Sequence, residues 1–259
     1  MSRTKFKQRD LSIMRTIKKS TNNNSNQYYM YGKHTVLAAI NNKNRYVEKI
    51  YCLEKTFLEL KNKLNQFSIE IVSSDFINKK IGLGQPHQGI IAHVHSIFLS
   101  SINDMDFSEN IDRVVILDQI TDPQNIGAII RSAAAFGITK LILPADNTPE
   151  ENASIAKAAS GCLEITQIAK VTNLKTAIET LKRKGFWIAG LDIEGTDNIA
   201  SLVEFKKLAI IIGSEGKGMR RLTTESCDFL VKIPISNKVE SLNASNAASI
   251  IFHALRIDL

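Results

Sequence analysis

Residues 113–144, RVVILDQITDPQNIGAIIRSAAAFGITKLILP, decide the fold of the larger part of this chain. An unbroken apolar run, VVILD, precedes a helical pattern, and a second such run, KLILP, follows it. Strands that are apolar on both faces are typical of a parallel sheet covered by helices. Similar runs recur further along the chain as ITQIA, FWIAG, LAIIIG and FLVKIP. The pattern therefore predicts an open α/β sheet domain over residues 112–259.

A smaller α/β unit is predicted over residues 28–97. The segments GKHTVLAAINN, KTFLELKNKLNQF and 74–81 have helical patterns, whereas YVEKIYCL, FSIEIVS and GIIAHVHSI have those of strands. Residues 98–111 lack apolar periodicity and carry acidic and turn residues, which is typical of a linker.

The amino-terminal 27 residues are predicted to form a basic, disordered tail. They contain seven lysines and arginines and a single acid, in a chain whose net charge is +7. Three interpretations stay open: a solvated extension, an arm that binds a polyanion by releasing counterions, and an organellar import sequence.

Composition excludes several classes of protein. No apolar run is long enough for a transmembrane helix, and the amino terminus lacks a secretion signal, so no membrane association is predicted. Cys52, Cys162 and Cys227 are too few and too widely spaced for a disulfide framework or a zinc site. No metal is expected, and the cysteine usage suits a reducing cytosol.

The loop TDPQNIG follows the first predicted strand of the larger domain, where open α/β sheets place their ligands. Asp122 is expected to cap the following helix, and Pro123 suits its first position. Asn125 and Arg131 have no such structural explanation. An arginine in the second turn of such a helix is usually exposed and inert, but the alanine-rich composition indicates close packing and favours a half-buried guanidinium with a function.

A second loop, IIIGSEGKGM, contains Gly213, Gly216 and Gly218, which allow positive φ angles and close approach of a ligand to the backbone. Its spacing does not match a phosphate-binding Walker loop. Glu215 is expected to accept hydrogen bonds from amides of this loop or to pair with an arginine.

A third loop follows a strand that is predicted to end at residues 233–234. Ser241, Leu242, Asn243 and Ser245 then open an apolar helix. One of these polar residues is explained as a helix cap. The others predict a pocket rim that is rich in hydrogen-bonding groups.

Together these loops resemble the three motifs of the SpoU branch of the SPOUT RNA 2'-O-ribose methyltransferases. The matching patterns are D-P-x-N-x-G-x-x-x-R at 122–131, G-S-E-G-x-G at 213–218, and I-P with S-L-N-x-S at 233–245. YGKHTVLAAI, VEKIYCLEK and HQGIIAHV resemble the L30e-like RNA-binding domain of the same family. Within the family, the chain looks most like enzymes that methylate a guanosine in the peptidyl-transferase loop of large-subunit rRNA.

The resemblance implies a SPOUT domain with a carboxyl-terminal trefoil knot, a homodimer formed through that domain, large-subunit rRNA as partner, and the bacterial cytoplasm as compartment. It implies S-adenosyl-L-methionine as methyl donor. The implied cofactor-binding residues are Gly213, Gly216, Ile233, Leu242 and Ser245, and the implied catalytic residues are Arg131, Asn125, Glu215, Ser241 and Asn243. The chain departs from the family pattern at Ala244, where valine is more common.

The chemistry constrains the role of Arg131, because the ribose hydroxyl must lose its proton as its oxygen is methylated. Arginine is a poor base, since its pKa exceeds about 12. Arg131 is therefore expected to fix a phosphate and polarise the hydroxyl, with Asn125 orienting the ribose or the arginine and Glu215 holding its loop and an arginine. Alternatives are tRNA methylation, antibiotic-resistance rRNA methylation, and a non-catalytic ribosome-assembly factor.

Overall fold

The structure of the protein is a computed structural model that describes residues 26–256. The prediction of a basic, disordered tail therefore falls almost wholly outside the described residues. Within the described range, none of the helices is long and apolar enough to cross a lipid bilayer. The chain forms two sheets, one of four strands and one of six.

The smaller sheet has the strand order β1-β4-β2-β3. Its elements are β1 (Gln27–Tyr31), α1 (Lys33–Asn41), β2 (Val47–Cys52), α2 (Glu54–Leu64), β3 (Ile69–Ile71), α3 (Ser74–Ile81) and β4 (Ile90–His95). Helices α1 and α2 pack on one face of the sheet around Met30, Ile50 and Ala92. Helix α3 covers part of the other face, where Ile77 meets Ile91. The predicted helices and strands of this unit are confirmed.

One strand of this sheet, β1, has no counterpart among the predicted elements. It begins at Gln27, which the sequence assigns to the tail, and it pairs antiparallel with β4 from Gln27 opposite His95 to Tyr31 opposite Ile91. The segment QYYMY follows an asparagine-rich stretch and lacks a clear alternation of polar and apolar residues. Its strand conformation depends on hydrogen bonds to residues far away in sequence, which a local pattern does not reveal.

The larger sheet has the order β10-β8-β9-β5-β6-β7, and every pairing in it is parallel. Its elements are β5 (Asp112–Leu117), α4 (Pro123–Ala135), β6 (Lys140–Pro144), α5 (Ala153–Ala159), β7 (Gln167–Val171), α6 (Leu174–Arg183), β8 (Trp187–Leu191), β9 (Lys207–Ile212), α7 (Arg221–Thr224), β10 (Phe229–Val231) and α8 (Ala244–Ala254). The predicted parallel α/β sheet is confirmed.

Helices cover both faces of this sheet, which explains why its strands are apolar on both sides. Helices α4, α5 and α8 cover one face around Ile126, Ile155 and Phe252. Helix α6 covers the other through Ile178 and Leu181. After β10, at one edge of the sheet, the chain runs back through residues 232–243 so that α8 can pack against α4.

The segment predicted as a linker also packs into the larger domain. Leu99 forms a parallel bridge with Ala169 of β7, and its amide donates to the carbonyl of Ile168 at 2.7 Å. A short 3-10 helix at Ile102–Asp104 then buries Ile102 and Met105 against the α6 face. These contacts fix the end of the smaller domain to the edge of the larger sheet.

A buried charge network joins the two domains. Arg45 of the smaller domain donates to the carboxylates of Glu151 and Glu164 in the larger one, at 2.5 and 2.6 Å, and none of its side chain is exposed. The Glu151 carboxylate also accepts from the Tyr28 hydroxyl at 2.7 Å and the Ser96 hydroxyl at 2.8 Å. Burial and the Glu151 charge raise the pKa of Tyr28, so the phenol remains a donor. The network holds the domains in one relative orientation.

Candidate active site

A cavity of about 1010 Å³ lies at the carboxyl ends of β8 and β9. This is the edge at which open parallel sheets bind ligands. Its walls come from the segments 191–194, 212–219 and 232–247. The second and third of these segments contain the glycine-rich loop and the polar loop identified in the sequence.

The glycine-rich loop forms a tight turn in the cavity wall. The amides of Ser214 and Gly218 each donate to the carbonyl of the other residue, at 3.1 and 2.9 Å. A side chain at Gly213 would collide with the backbone of Gly218 and Met219, so only glycine fits there. Gly216 has a φ of +75°, a conformation that favours glycine. The turn therefore presents backbone groups, with little side-chain cover, to the cavity.

A hydrogen-bonded bridge brings all three motifs together at the rim. The side-chain nitrogen Nδ2 of Asn243 donates to Asn125 Oδ1 at 3.1 Å and to Glu215 Oε1 at 2.5 Å. The backbone amide of Ala244 also donates to Glu215 Oε1, at 3.2 Å. Glu215 thus bonds the third motif, which corrects the expectation that it bonds amides of its own loop or an arginine. Asn125 joins the site through Asn243 and does not line the cavity.

Asn243 also caps helix α8. Its Oδ1 accepts from the amide of Ser245 at 2.9 Å and from the Ser245 hydroxyl at 2.6 Å. Ser245 therefore does not line the cavity, unlike the other four residues expected to bind the cofactor. Its hydrogen bonds make it a support for Asn243 instead.

The predicted end of the last strand needs correction. Strand β10 stops at Val231, so Ile233 lies in the following loop. Only three residues of this edge strand pair with β8. Ile233, Ser241 and Leu242 nevertheless line the cavity, because the loop after β10 crosses the edge of the sheet there.

Arg131 lies on α4 and is exposed, which corrects the expectation of a half-buried guanidinium. It does not line the cavity. Within residues 26–256 no hydrogen bond or ion pair is made by its side chain. Its neighbour Ser132 contacts α8 through a 2.8 Å hydrogen bond to Ser249, so Arg131 lies beside the helix that Asn243 caps.

The sequence pattern does not predict a set of hydrogen bonds between the loops of the first two motifs. Asp118, at the end of β5, is fully buried and accepts from the backbone amide and Nε of Arg220, at 2.9 and 2.7 Å. Gln119 donates to the carbonyl of Gly218 at 3.3 Å. These bonds join the loop of the first motif to that of the second. The sequence signal for this contact is Asp118 itself, a charged residue directly after the wholly apolar run VVIL.

The charges around the cavity favour a cationic ligand. The side chains that line it include four carboxylates and only two lysines, namely Asp192, Glu194, Glu215, Glu240, Lys217 and Lys232. Burial raises the pKa of Cys227, which packs against β8, to about 12, so this thiol stays protonated and is a poor nucleophile. Among the described residues, no group of three or more histidine, cysteine or acidic side chains is placed to hold a metal ion.

Comparison with known proteins agrees with this geometry. Residues 112–253 match the SpoU rRNA methylase family, and residues 29–98 match the substrate-binding domain of RNA 2'-O ribose methyltransferases. The chain is 36% identical over 237 residues to RlmB, a 23S rRNA (guanosine-2'-O-)-methyltransferase of Vibrio parahaemolyticus, covering 88% of this chain and 96% of that one.

Solved structures show the same fold. AviRb, a SpoU methyltransferase of Streptomyces viridochromogenes in complex with AdoMet, superposes with a TM-score of 0.76 at 19% identity, over 88% of this chain and 89% of that one. An AdoMet-bound rRNA methyltransferase of Sinorhizobium meliloti gives 0.77 at 20% identity, over 88% and 86%.

The two matched domains, together with a parallel sheet whose cavity lies at its carboxyl edge, place the chain in the class of RNA 2'-O-ribose methyltransferases. Within that class, the chain belongs to the SpoU rRNA methylase family. The family predicted from the three motifs is confirmed.

Proposed function

We propose that this chain transfers the methyl group of S-adenosylmethionine to the 2'-oxygen of a guanosine in the peptidyl-transferase loop of 23S rRNA, in the bacterial cytoplasm. The observation that carries the proposal is the hydrogen-bonded bridge at the cavity rim. Through it Asn125, Glu215 and Asn243, one from each motif, surround a single site. The identity to RlmB over most of both chains supports the guanosine and the RNA.

The cavity fits this methyl donor by its chemistry. The donor carries a reactive methyl group on a positively charged sulfonium, and the carboxylate-rich wall favours such a cation. The backbone at Gly213, Ile233 and Leu242 would hold its polar ends, and the apolar side chains of Ile212 and Met219 would exclude water. Ser241 is exposed at the cavity wall, where its hydroxyl would contact the donor or the ribose.

Arg131 would hold the target nucleotide from outside the cavity. Because its guanidinium has no partner within the described residues, all of its N–H donors are available for a phosphate. It would also polarise the 2'-hydroxyl, and phosphate or water would accept the proton. Asn125 is held by Asn243 at 3.1 Å, so it would orient the ribose rather than move the proton.

We also infer that the active site is completed in a homodimer formed through the larger domain. Arg131 on α4 and Ile250 on α8 are both exposed, and each lies next to a member of the Ser132–Ser249 hydrogen bond between these helices. An exposed isoleucine and an unpaired arginine on two helices that pack together support a face that a second copy covers. The return of residues 232–243 across the sheet edge is consistent with a trefoil knot.

The proposal is tested with the purified full-length chain. Calorimetry with S-adenosylmethionine should show binding. When 23S rRNA from a strain that lacks this protein is incubated with the purified chain and the donor, it should gain one 2'-O-methyl guanosine. If the donor does not bind, the chain is a non-catalytic RNA-binding factor. If the methyl group appears on tRNA or on another rRNA nucleotide, the assigned substrate is wrong.

A matched pair of variants tests whether this cavity is the donor site. Leu242 lines the cavity, whereas Leu222 is exposed outside it. Because a tryptophan at position 242 would fill the space, Leu242→Trp is expected to weaken donor binding by about tenfold or more. Leu222→Trp should bind the donor as the wild type does. Equal affinities of the two variants in calorimetry would place the donor elsewhere.

A further inference from the structure

We propose that Arg220 binds a backbone phosphate of the RNA substrate beside the reacting ribose, and that Asp118 holds it in position. The proposal rests on the proposed function and deepens it, because it assigns a contact with the substrate to a residue outside the motif positions discussed so far. It follows from how this arginine is anchored, from what its terminal amino groups leave unbonded, and from where it lies.

The anchor of Arg220 is unusually firm for a partly exposed side chain. Asp118 is fully buried, and its two carboxylate oxygens accept separately from the Arg220 backbone amide at 2.9 Å and from Nε at 2.7 Å. One carboxylate therefore fixes both the backbone and the inner edge of the guanidinium. Little side-chain entropy remains to be lost when Arg220 binds a ligand.

The outer edge of the same guanidinium is unbonded. Within the part of the chain that the structure describes, no protein group accepts from Nη1 or Nη2 of Arg220, and 46% of the side chain is exposed. The buried Arg45 differs, since its Nη1, Nη2 and Nε all donate to protein oxygens. Two parallel N–H groups on a rigid plane match two oxygens of a phosphate.

Arg220 is adjacent to the cavity, both along the chain and through Asp118. Asp118 directly follows Leu117, which pairs in the sheet with Ile212 of the cavity wall. Met219, the residue before Arg220, also lines the cavity. Arg220 thus lies close to the cavity and to the loop that leads from β5 into α4. A ribose placed there would bring its own phosphates within reach.

The test compares two adjacent arginines. Arg221 carries the same charge, but its side chain is 79% exposed and pairs with Glu225, the residue after α7. Arg220→Met is expected to raise KM for rRNA by about tenfold or more, because a charge-assisted contact is lost, with donor affinity unchanged. The plot of log affinity against log salt concentration should also become less steep, by about 1 unit of slope. Arg221→Met should change none of these quantities.

A second variant separates a contact with phosphate from a structural role. Arg220→Lys keeps the charge and can still bond Asp118, but it lacks the planar pair of amino groups. It should fold, retain most of the salt dependence and still raise KM. The inference is overturned if Arg220→Met matches Arg221→Met in KM and salt slope, or if both Arg220 variants lose donor binding together with thermal stability. Failure of the wild type to methylate any RNA would instead overturn the proposed function.

Discussion

Three arginines of the described residues differ in what their guanidinium groups contact. Arg45 is fully buried and bonded on every side, and Arg220 is bonded on one edge. Arg131 has no partner among the described residues. An exposed guanidinium is well hydrated, so leaving it unpaired costs little until a ligand displaces the water. From Arg45 through Arg220 to Arg131, fewer guanidinium donors are bonded within the protein and more are available for a ligand.

The role of Arg131 is tested by a change that keeps its charge. Arg131→Lys removes the planar pair of amino groups, so the polarisation of the hydroxyl should weaken and kcat should fall by about 10²-fold. RNA affinity should stay close to that of the wild type, because the charge remains. Single-turnover methylation and filter binding measure the two quantities.

Arg183→Lys on α6 is the control, because that helix covers the opposite face of the sheet. It should leave both quantities unchanged. Near-normal turnover in Arg131→Lys would show that the planar group is not needed.

At the scale of elements, α4 shows how one helix meets several demands at once. Asp122 accepts from the amide of Gln124 at 3.0 Å, and Pro123 occupies the first turn, as the sequence predicts. Gly127 serves a different purpose. A Cβ there would lie 2.5 Å from that of Ala158 and 2.7 Å from the carbonyl oxygen of Ile155. The motif glycine therefore lets α4 approach α5 closely.

Adding a methyl group at Gly127 should separate these two helices. Gly127→Ala is expected to lower the free energy of unfolding by about 1–3 kcal/mol, since the obstructing atoms include backbone that cannot rotate away. Urea denaturation measures the change. Gln124→Ala, at an exposed position of the same helix, should change it by less than about 0.5 kcal/mol. An equally stable Gly127→Ala variant would mean that the helices can move apart without cost.

The sequence predicts most elements because their signals are local. Alternation, apolar runs, helix caps and the three motifs are all read from neighbouring residues, and the structure confirms the elements they indicate. The strand β1 and the end of β10 at Val231 were not predicted, because both depend on which strand lies alongside. The pair of Asp118 and Arg220, which are 102 positions apart, was hidden for the same reason. Exposure of Arg131 could not be read from helix composition.

At the scale of the whole molecule, the two domains behave as one unit because of the network around Arg45. Both carboxylates that it bonds belong to the larger domain and are almost fully buried. Asn42 donates to Glu164 and Asn26 to the carbonyl of Glu151, at 2.8 and 2.7 Å, so further side chains support the same contact. The substrate-binding domain and the cavity therefore keep a fixed separation.

Removal of Arg45 should be costly, because it leaves two buried carboxylates without a counter-charge. Arg45→Met is expected to lower the free energy of unfolding by about 3–5 kcal/mol. Lys33→Met breaks the exposed pair with Glu59 and should cost less than about 1 kcal/mol. Urea denaturation compares the variants. Similar midpoints for the two would show that water enters the domain interface freely.

The hydrogen-bonded bridge at the cavity rim has a consequence for the synthesis of the protein. Asn125 and Asn243 are 118 positions apart, and the bridge also needs Glu215 from the segment between them. While the chain is still being translated, the first asparagine has left the ribosome long before its partner has been made. A nascent chain that lacks Asn243 cannot complete this site, so no copy can modify ribosomal RNA before its third motif has been translated.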